Sequence, residues 1–458
     1  MSTFIRHFGQ QQSDGTYAIS ASDLSIMSSM INVGELVGSL GAAPLNDFLG
    51  RKGAFLVAAI VAIIGTVLQT ITDHDKGIII GGRVILGLGE VAPTAMRGPL
   101  LGCWQLTISL AQIIAAVVNR GTESMTTTAS YRIPTALQLI FPLTVVAFLY
   151  WVPESPRWLM RRGKTERCDA ALRTLHKDDK AYTAEEDIRM IENSLAAEAE
   201  QSIESSWLDL VRDPVERRKV VFSAGALIAQ QVNGIQWFYY FGTVFSKAIG
   251  LNDPFLMSII VFVIQVVTVF VAVLCANTIP RRPLLLTTTL MMMGSIFIVG
   301  CLGIPGGDVS STAGKVIISF VIIEITAFNF AWGPLGWTIA SEMAVGRNRN
   351  KIYAVAVACF WVTVWATVFT LPYLYYSANL GPKTGFVYTG LCFITLAYVW
   401  FCVGEVTGRS MEEIEWFFRE GIPARHWKRQ PRLGSGSVVG AENVSLEKGK
   451  VDHEKETL

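Results

Sequence analysis

The stretch PFLMSIIVFVIQVVTVFVAVLCANTI, residues 254–279, runs without an acidic or basic side chain. A bilayer core about 30 Å thick is crossed by roughly 20 apolar residues of helix, because in lipid every backbone N–H and C=O must find its partner inside the segment. By that ruler residues 254–279 form a membrane span. Working outward, further apolar segments lie near 24–45, 54–72, 98–118, 133–152, 220–245, 284–304, 314–341, 351–374 and 385–404, and a piece at 77–89 is too short to cross alone. Counting that piece, the reading is an all-α membrane protein with about 11 transmembrane segments.

Composition agrees. Of 458 residues 51% are hydrophobic and 16% charged, and the mean hydropathy is +0.41, whereas a soluble domain carries roughly a quarter charged residues. The 24 Phe and 12 Trp suit a large apolar surface with interfacial anchors. A net charge of +1 gives no reason to expect nucleic acid. The seven cysteines are scattered without a C-x-x-C pair and read as small helix hydrophobes, the five His are dispersed, and no nucleophile–base set, phosphate loop or metal cluster is visible. The expectation is therefore not an enzyme, with no cofactor. The opening MSTFIRHFGQQQSDGTYAIS has neither the apolar core nor the cleavage pattern of a signal peptide.

The chain divides into a loop-like, extracellular 1–23, a first helical bundle 24–152, a charged helical insertion 153–219, a second bundle 220–404 and a tail 405–458 whose last 25 or so residues read as disordered. Lys and Arg crowd alternate connections: Arg51 and Lys52, Arg97, the insertion, Arg281 and Arg282, Arg347 to Lys351, and Arg409 onward. Such crowding marks the cytoplasmic side. The reading is thus a multi-pass protein of the plasma membrane, embedded in the lipid bilayer, with insertion and tail in the cytoplasm. There, Asn443-Val-Ser would never meet the glycosylation machinery its pattern matches.

The opening stretch ends in a signpost that recurs. Asn277-Thr278-Ile279-Pro280-Arg281-Arg282 answers Asp47-Phe48-Leu49-Gly50-Arg51-Lys52; Glu342 and Arg349 answer Glu90 and Arg97; Gly404-Glu405-Val406-Thr407 answers Pro153-Glu154-Ser155. Matching signposts mean two repeated units. The first and second stand 43 residues apart in the first half and 65 in the second. Part of a fourth helix is therefore expected to be missing from the first repeat, and an opening helix with it, since nothing ahead of 24–45 answers to 220–245.

These residues resemble the sugar porter family of the major facilitator superfamily. The resemblance runs from about residue 4 to 418 and rests on PLNDFLGRK (44–52), GRVILGLG (82–89), EVAPTAMRG (90–98), PESPRWL (153–159), QQVNGI (230–235), WGPLGW (332–337) and EVTGRSMEEI (405–414), in the family's order. It implies two bundles with pseudo-twofold repeat around a central cavity. The implied activity is secondary active or facilitative transport of a hexose, pentose or disaccharide, with H+ as a candidate co-substrate. A transporter-like sugar sensor and a non-functional truncated product are the alternatives.

A neutral sugar needs groups that both donate and accept hydrogen bonds, which side-chain amides do, and rings to cover its apolar faces. Gln105 and Gln112 share a helix face, Gln230, Gln231 and Gln236 open the second bundle, and Trp332 and Trp361 lie in the last helices. By resemblance these seven contact sugar; helix–helix packing by polar residues is the competing role. The family often has Asn at Gln236 and Asn or Gln at Phe360. The resemblance also implies a charge relay that latches the bundles: Asp47, Arg51 and Lys52 with Glu90 and Arg97, Glu154 with Arg157, and Glu342 with Arg349. Asn277 and Pro280 replace the usual Asp and Gly and should weaken the second latch. Glu35, Arg83 and Glu324 are ionisable residues inside apolar runs, where charge is costly. Arg83 matches the Arg of proton-coupled members whose first-helix Asp partner is not in this chain, so Glu35 and Glu324 are the substitute proton acceptors to consider.

Overall fold

The computed structural model describes residues 2–431 apart from 13–14, 73–74, 91–98, 178–181, 204–205, 240–241, 243–252, 276–277 and 305–310. The loop expected over 1–23 is instead α1 (Ser2–Phe8) and a hairpin of β1 (Gln10–Gln11) and β2 (Tyr17–Ala18). Phe4 and Phe8, one turn apart on α1, set their rings 5.6 and 5.9 Å from that of Tyr131, beside Met27 and Ile79.

α2 (Ala21–Ile71) carries both segments expected at 24–45 and 54–72, broken at Gly50, whose φ of 81° an L side chain would strain. α3 (Lys76–Glu90) spans only about 22 Å at 1.5 Å per residue. It lies against both limbs of α2 with backbones nearly touching. A Cβ on Gly34 would come 2.1 Å from the Val84 carbonyl oxygen, and one on Gly87 2.2 Å from that of Ile31. Small residues at such seams are how helices pack where lipid removes the hydrophobic drive.

α4 (Pro99–Thr122) follows, and the span expected at 133–152 is two helices, α5 (Ala129–Leu137) and α6 (Ile140–Leu149). The break at Gln138-Leu139 has a simple cause: Pro142 has no N–H to return to the Gln138 carbonyl. The insertion folds as α7 (Pro156–Arg161), α8 (Thr165–Leu175), α9 (Ala184–Ile203) and α10 (Asp209–Arg212), with a small core at Leu159, Cys168, Leu172 and Ala184.

In the second half α11 (Pro214–Val232) stops at Asn233-Gly234 and resumes as α12 (235–239). Then come α13 (Pro254–Cys275), α14 (Arg281–Leu302), α15 (Ser311–Ala327), a π-turn (Phe328–Trp332), α16 (Gly333–Met343), α17 (Arg349–Pro372) and α18 (Thr384–Cys402). α19 (Met411–Arg419) and a 3-10 turn (Ala424–Arg429) close the described chain; the tail segment read as disordered lies outside the described residues.

The halves meet along two main seams, α2 with α17 and α4 with α13. The repeat maps the first limb of α2 onto α13 and α4 onto α17, so each seam is the other's image. That is a pseudo-twofold pair of bundles.

Candidate functional site

A cavity of about 290 Å³ opens between the bundles, lined from the first half by Gln105, Ile108 and Gln112 of α4 and from the second by residues of six elements. The Asn233-Gly234 break sets up the second side. Gly234 has φ +97°, Asn233 Oδ1 accepts from the Ile235 N–H at 3.2 Å, and the chain re-enters with Gln236 and Tyr239 on the cavity wall. Gln230 and Gln231, in the last turn of α11, line it too.

The amides form a connected set. Gln230 Nε2 donates to the carbonyls of Trp332 and Gly333 at 2.7 and 3.0 Å, backbone groups beside the π-turn, and Gln236 donates to Gln231 Oε1. Across the seam, Gln265 Nε2 donates to Ser109 Oγ at 2.9 Å and Gln112 Oε1 at 2.6 Å, and Gln105 Nε2 approaches Asn329 Oδ1 at 3.5 Å. Asn329 Nδ2 donates to Tyr239 Oη at 2.8 Å. The buried oxygens of Gln236 and Gln265 have no partner among the described residues, so acceptors stand ready for hydroxyl donors. Phe328, Trp337 and Phe360 form the apolar wall, with the Trp337 and Phe360 rings 4.7 Å apart.

Of the seven expected sugar contacts, five therefore line one cavity: Gln105, Gln112, Gln230, Gln231 and Gln236. Trp332 does not. It is fully buried, its indole N–H bound to Thr289 Oγ1 at 2.9 Å, and it packs α14 to the π-turn. Trp361 is outside the lining too, edge-on to Phe360 at 4.8 Å. Sequence reasoning missed Gln265, Tyr239, Asn329 and Trp337. Gln265 had a signal, being an amide in the middle of the apolar stretch 254–279.

The structure gathers several of the relay residues at the first and third signposts. Glu154 accepts from the backbone N–H groups of Arg51 at 2.9 Å and Lys52 at 3.3 Å, capping the helix restart after Gly50; its counterpart Glu405 accepts from the N–H groups of Arg281 and Arg282, both at 3.2 Å. Third signpost thus meets first in each half. Asp47 pairs with Arg161 at 2.8 Å. Glu342 pairs with Arg281, and the Arg349 guanidinium lies 3.1 Å from Met411 Sδ. A helix-end carboxylate is satisfied first by nearby backbone donors, which Glu–Arg spacing does not reveal. The Glu90 side chain, Arg97 and Asn277 lie outside the described residues.

Inside the bundles, Arg83 donates to the Met27 carbonyl and Glu35 is half-buried on α2. Glu324 is fully buried in α15.

The profile of a family described as "Sugar (and other) transporter" matches residues 1–418. The chain belongs to the sugar transporter family. This sugar transporter is 30% identical to the low-affinity glucose transporter HXT4 of Saccharomyces cerevisiae over 92% of its own length and 76% of that protein's, and 30% identical to the major facilitator-type transporter ecdD of Aspergillus rugulosus over 95% and 85%. It shares its fold with the xylose transporter XylE of Escherichia coli in a partially occluded inward-open conformation, at a TM-score of 0.70 and 23% identity over 89% of this chain and 94% of that one. A sugar transporter of the major facilitator superfamily is what the family match and the relatives establish.

Proposed function

We propose that the protein carries a single-ring sugar across the plasma membrane by alternating access, with the insertion and the tail in the cytoplasm. The observation that carries this reading is the amide cavity, built from both bundles and closed by rings on one side. At about 290 Å³ it lies at the small end of the roughly 300–1,000 Å³ usual for small-molecule sites, which suits a monosaccharide better than a disaccharide. The glucose and xylose specificities named for the relatives point the same way. Phe360, standing where the family often has an amide, extends the apolar wall and favours a solute with a hydroxyl-poor edge there.

Ties across the halves at the end away from the insertion support the rocking motion. Arg120 pairs with Asp253 at 2.8 Å, and Ser25 Oγ donates to the Phe369 carbonyl at 2.8 Å. We read this as the conformation sealed on the outer side; both ties must part when it opens.

The test is counterflow in proteoliposomes loaded with D-glucose or D-xylose. Labelled sugar should accumulate against its gradient, and Gln230→Ala should raise KM about tenfold or more, equivalent to roughly 1.4 kcal/mol of binding. Sugar binding without counterflow would make the protein a sensor; neither binding nor counterflow with any monosaccharide would refute the reading.

A further inference from the structure

α2 and α17 lie along one another, and near the end away from the insertion Ser25 Oγ of α2 donates to the Phe369 carbonyl of α17 at 2.8 Å. The start of one helix meets the end of the other, so the two run in opposite directions. At equal rise per residue, four residues further along α2 stands level with four residues back along α17. Ser29 is therefore at the level of Trp365, and Asn32 at about that of Trp361. Ser25, Ser29 and Asn32, spaced four and three apart, share one face of α2, and all three are buried. On α17, Trp361, Trp365 and Phe369 follow at intervals of four, with Tyr373 one turn beyond. The Trp365 and Phe369 rings stack at 5.4 Å, Phe369 and Tyr373 stand 5.6 Å apart, and Trp361 is 4.8 Å from Phe360 on the cavity wall. The rings form a row about 20 Å long that ends at the amide cavity.

Most polar atoms of this seam are not used to hold it shut. Among the described residues, Ser29 Oγ, both amide atoms of Asn32 and the indole N–H groups of Trp361 and Trp365 are buried without a hydrogen-bond partner. Asn32 is only 1% exposed. Buried polar groups are normally paired, and leaving them unpaired costs free energy. A stripe that served only as glue between helices would bond across the seam at every step, as Ser25 does. Hydroxyl and amide groups on one wall and ring faces on the other are what a sugar ring requires, the first for its hydroxyls and the second for its C–H faces.

We propose that the α2–α17 seam is an outer sugar site, separate from the amide cavity. When the bundles part on the outer side, Ser29 and Asn32 bond hydroxyls of an arriving monosaccharide whose apolar face lies on Trp365 and Phe369. Closure re-forms the Ser25–Phe369 tie, strips Ser29 and Asn32 of the sugar, and leaves the row of rings to pass it to Phe360 and Trp337 of the cavity. The polar groups left unpaired then favour reopening toward the next sugar. This rests on the sugar-transport reading.

The experiment uses the full chain in intact cells that lack hexose carriers of their own. Ser29→Cys, checked to reach the cell surface, should react with a membrane-impermeant maleimide added outside, above the wild-type background, and external D-glucose should slow that reaction several-fold. The half-protecting glucose concentration should stay the same when Gln230→Ala is added, because the protecting sugar sits in the seam. No reaction above background, no protection, or a half-protecting concentration that rises about tenfold with Gln230→Ala, as for a sugar held only in the amide cavity, overturns the proposal. Asn32→Leu gives a second readout, one that a packing role would not share. Its amide is unpaired in the sealed state, so the thermal midpoint in detergent should hold or rise, while uptake at low external glucose falls about fivefold or more. A lowered midpoint, or uptake equal to the wild type, overturns the proposal. A wild type that carries sugar while these expectations fail removes the outer site alone; one that neither binds nor carries any monosaccharide refutes the transport reading and the outer site with it.

Discussion

In the second half, the span Thr312–Met343 has 56% of its most apolar window buried inside the protein; in the first half, Ala129–Leu149 has 6%. Both halves carry the same signposts, but they are held together by different means. The second closes around one continuous core running from Phe222 to Trp427. Of the largest fully buried side chains among the described residues, only Phe8 belongs to the first half. There the tight contacts are glycine backbones of α3 against α2, and rings such as Phe141, Phe148 and Trp151 stay exposed. Lipid makes both solutions workable. An exposed apolar face costs little against acyl chains, so a bundle can hold by backbone proximity alone.

The sharpest way to break this comparison is in the second half. Lys219 is fully buried and pairs with Glu216 at 2.7 Å and with Glu415 of α19 at 2.6 Å, pinning the tail helix to the start of α11. Lys219→Ala takes the described cation from the buried Glu216 and leaves Glu415 with only the exposed Arg419, 3.1 Å away, and removing one partner of a buried ion pair costs about 3–5 kcal/mol. The thermal midpoint of the purified protein in detergent should fall steeply; an unchanged midpoint would mean that the strapped tail adds nothing to the second bundle's stability.

The next test belongs to the glycine seam. Gly87→Val places new atoms where Ile31 O is already 2.2 Å from a Cβ, and forced overpacking of this kind costs about 1–3 kcal/mol. Gly294→Ala, in the second half, meets nothing within 4 Å and exchanges helical glycine for a better helix former. The first variant should lower the midpoint and the second hold or raise it slightly. Equal effects would show that the first half is not held by close backbones.

How much could be read in advance follows from what a sequence encodes locally. Span positions came from apolar length, and the repeat came from Asp47, Glu154 and their echoes, because lipid and turns impose those patterns directly. The breaks at Gln138-Leu139 and Asn233-Gly234 do carry local signals, Pro142 and the Asn-Gly pair, but apolar length alone runs straight through both. The resemblance that offers Trp332 carries no information about the π-turn. One extra residue per turn shifts every face after Phe328, so Trp332 points into the packing while Trp337 reaches the cavity. Five glutamines were found because amides in lipid are scarce enough to stand out. The pairings Asp47–Arg161 and Arg281–Glu342 depend on side-chain reach across the fold, which spacing along the chain does not encode.

The smallest expected effect lies at those two pairs and turns burial into a measurable variable. The side chains of Asp47 and Arg161 are 60% and 62% exposed, whereas those of Glu342 and Arg281 are 22% and 12% exposed. An exposed pair is screened by water and salt and contributes about 1 kcal/mol or less. Asp47→Asn also leaves in place the bonds that its backbone carbonyl accepts from Trp158 and Arg162, both at 3.0 Å, so the turn keeps its shape. The midpoint should move little, and less still in high salt. Glu342→Gln removes the charge facing a nearly buried guanidinium and should cost more, with little relief from salt. If Asp47→Asn proved as damaging as Glu342→Gln at every ionic strength, burial would not be what separates the halves. The Asp47–Arg161 pair would then have to act through the contact of α7 with α2 instead.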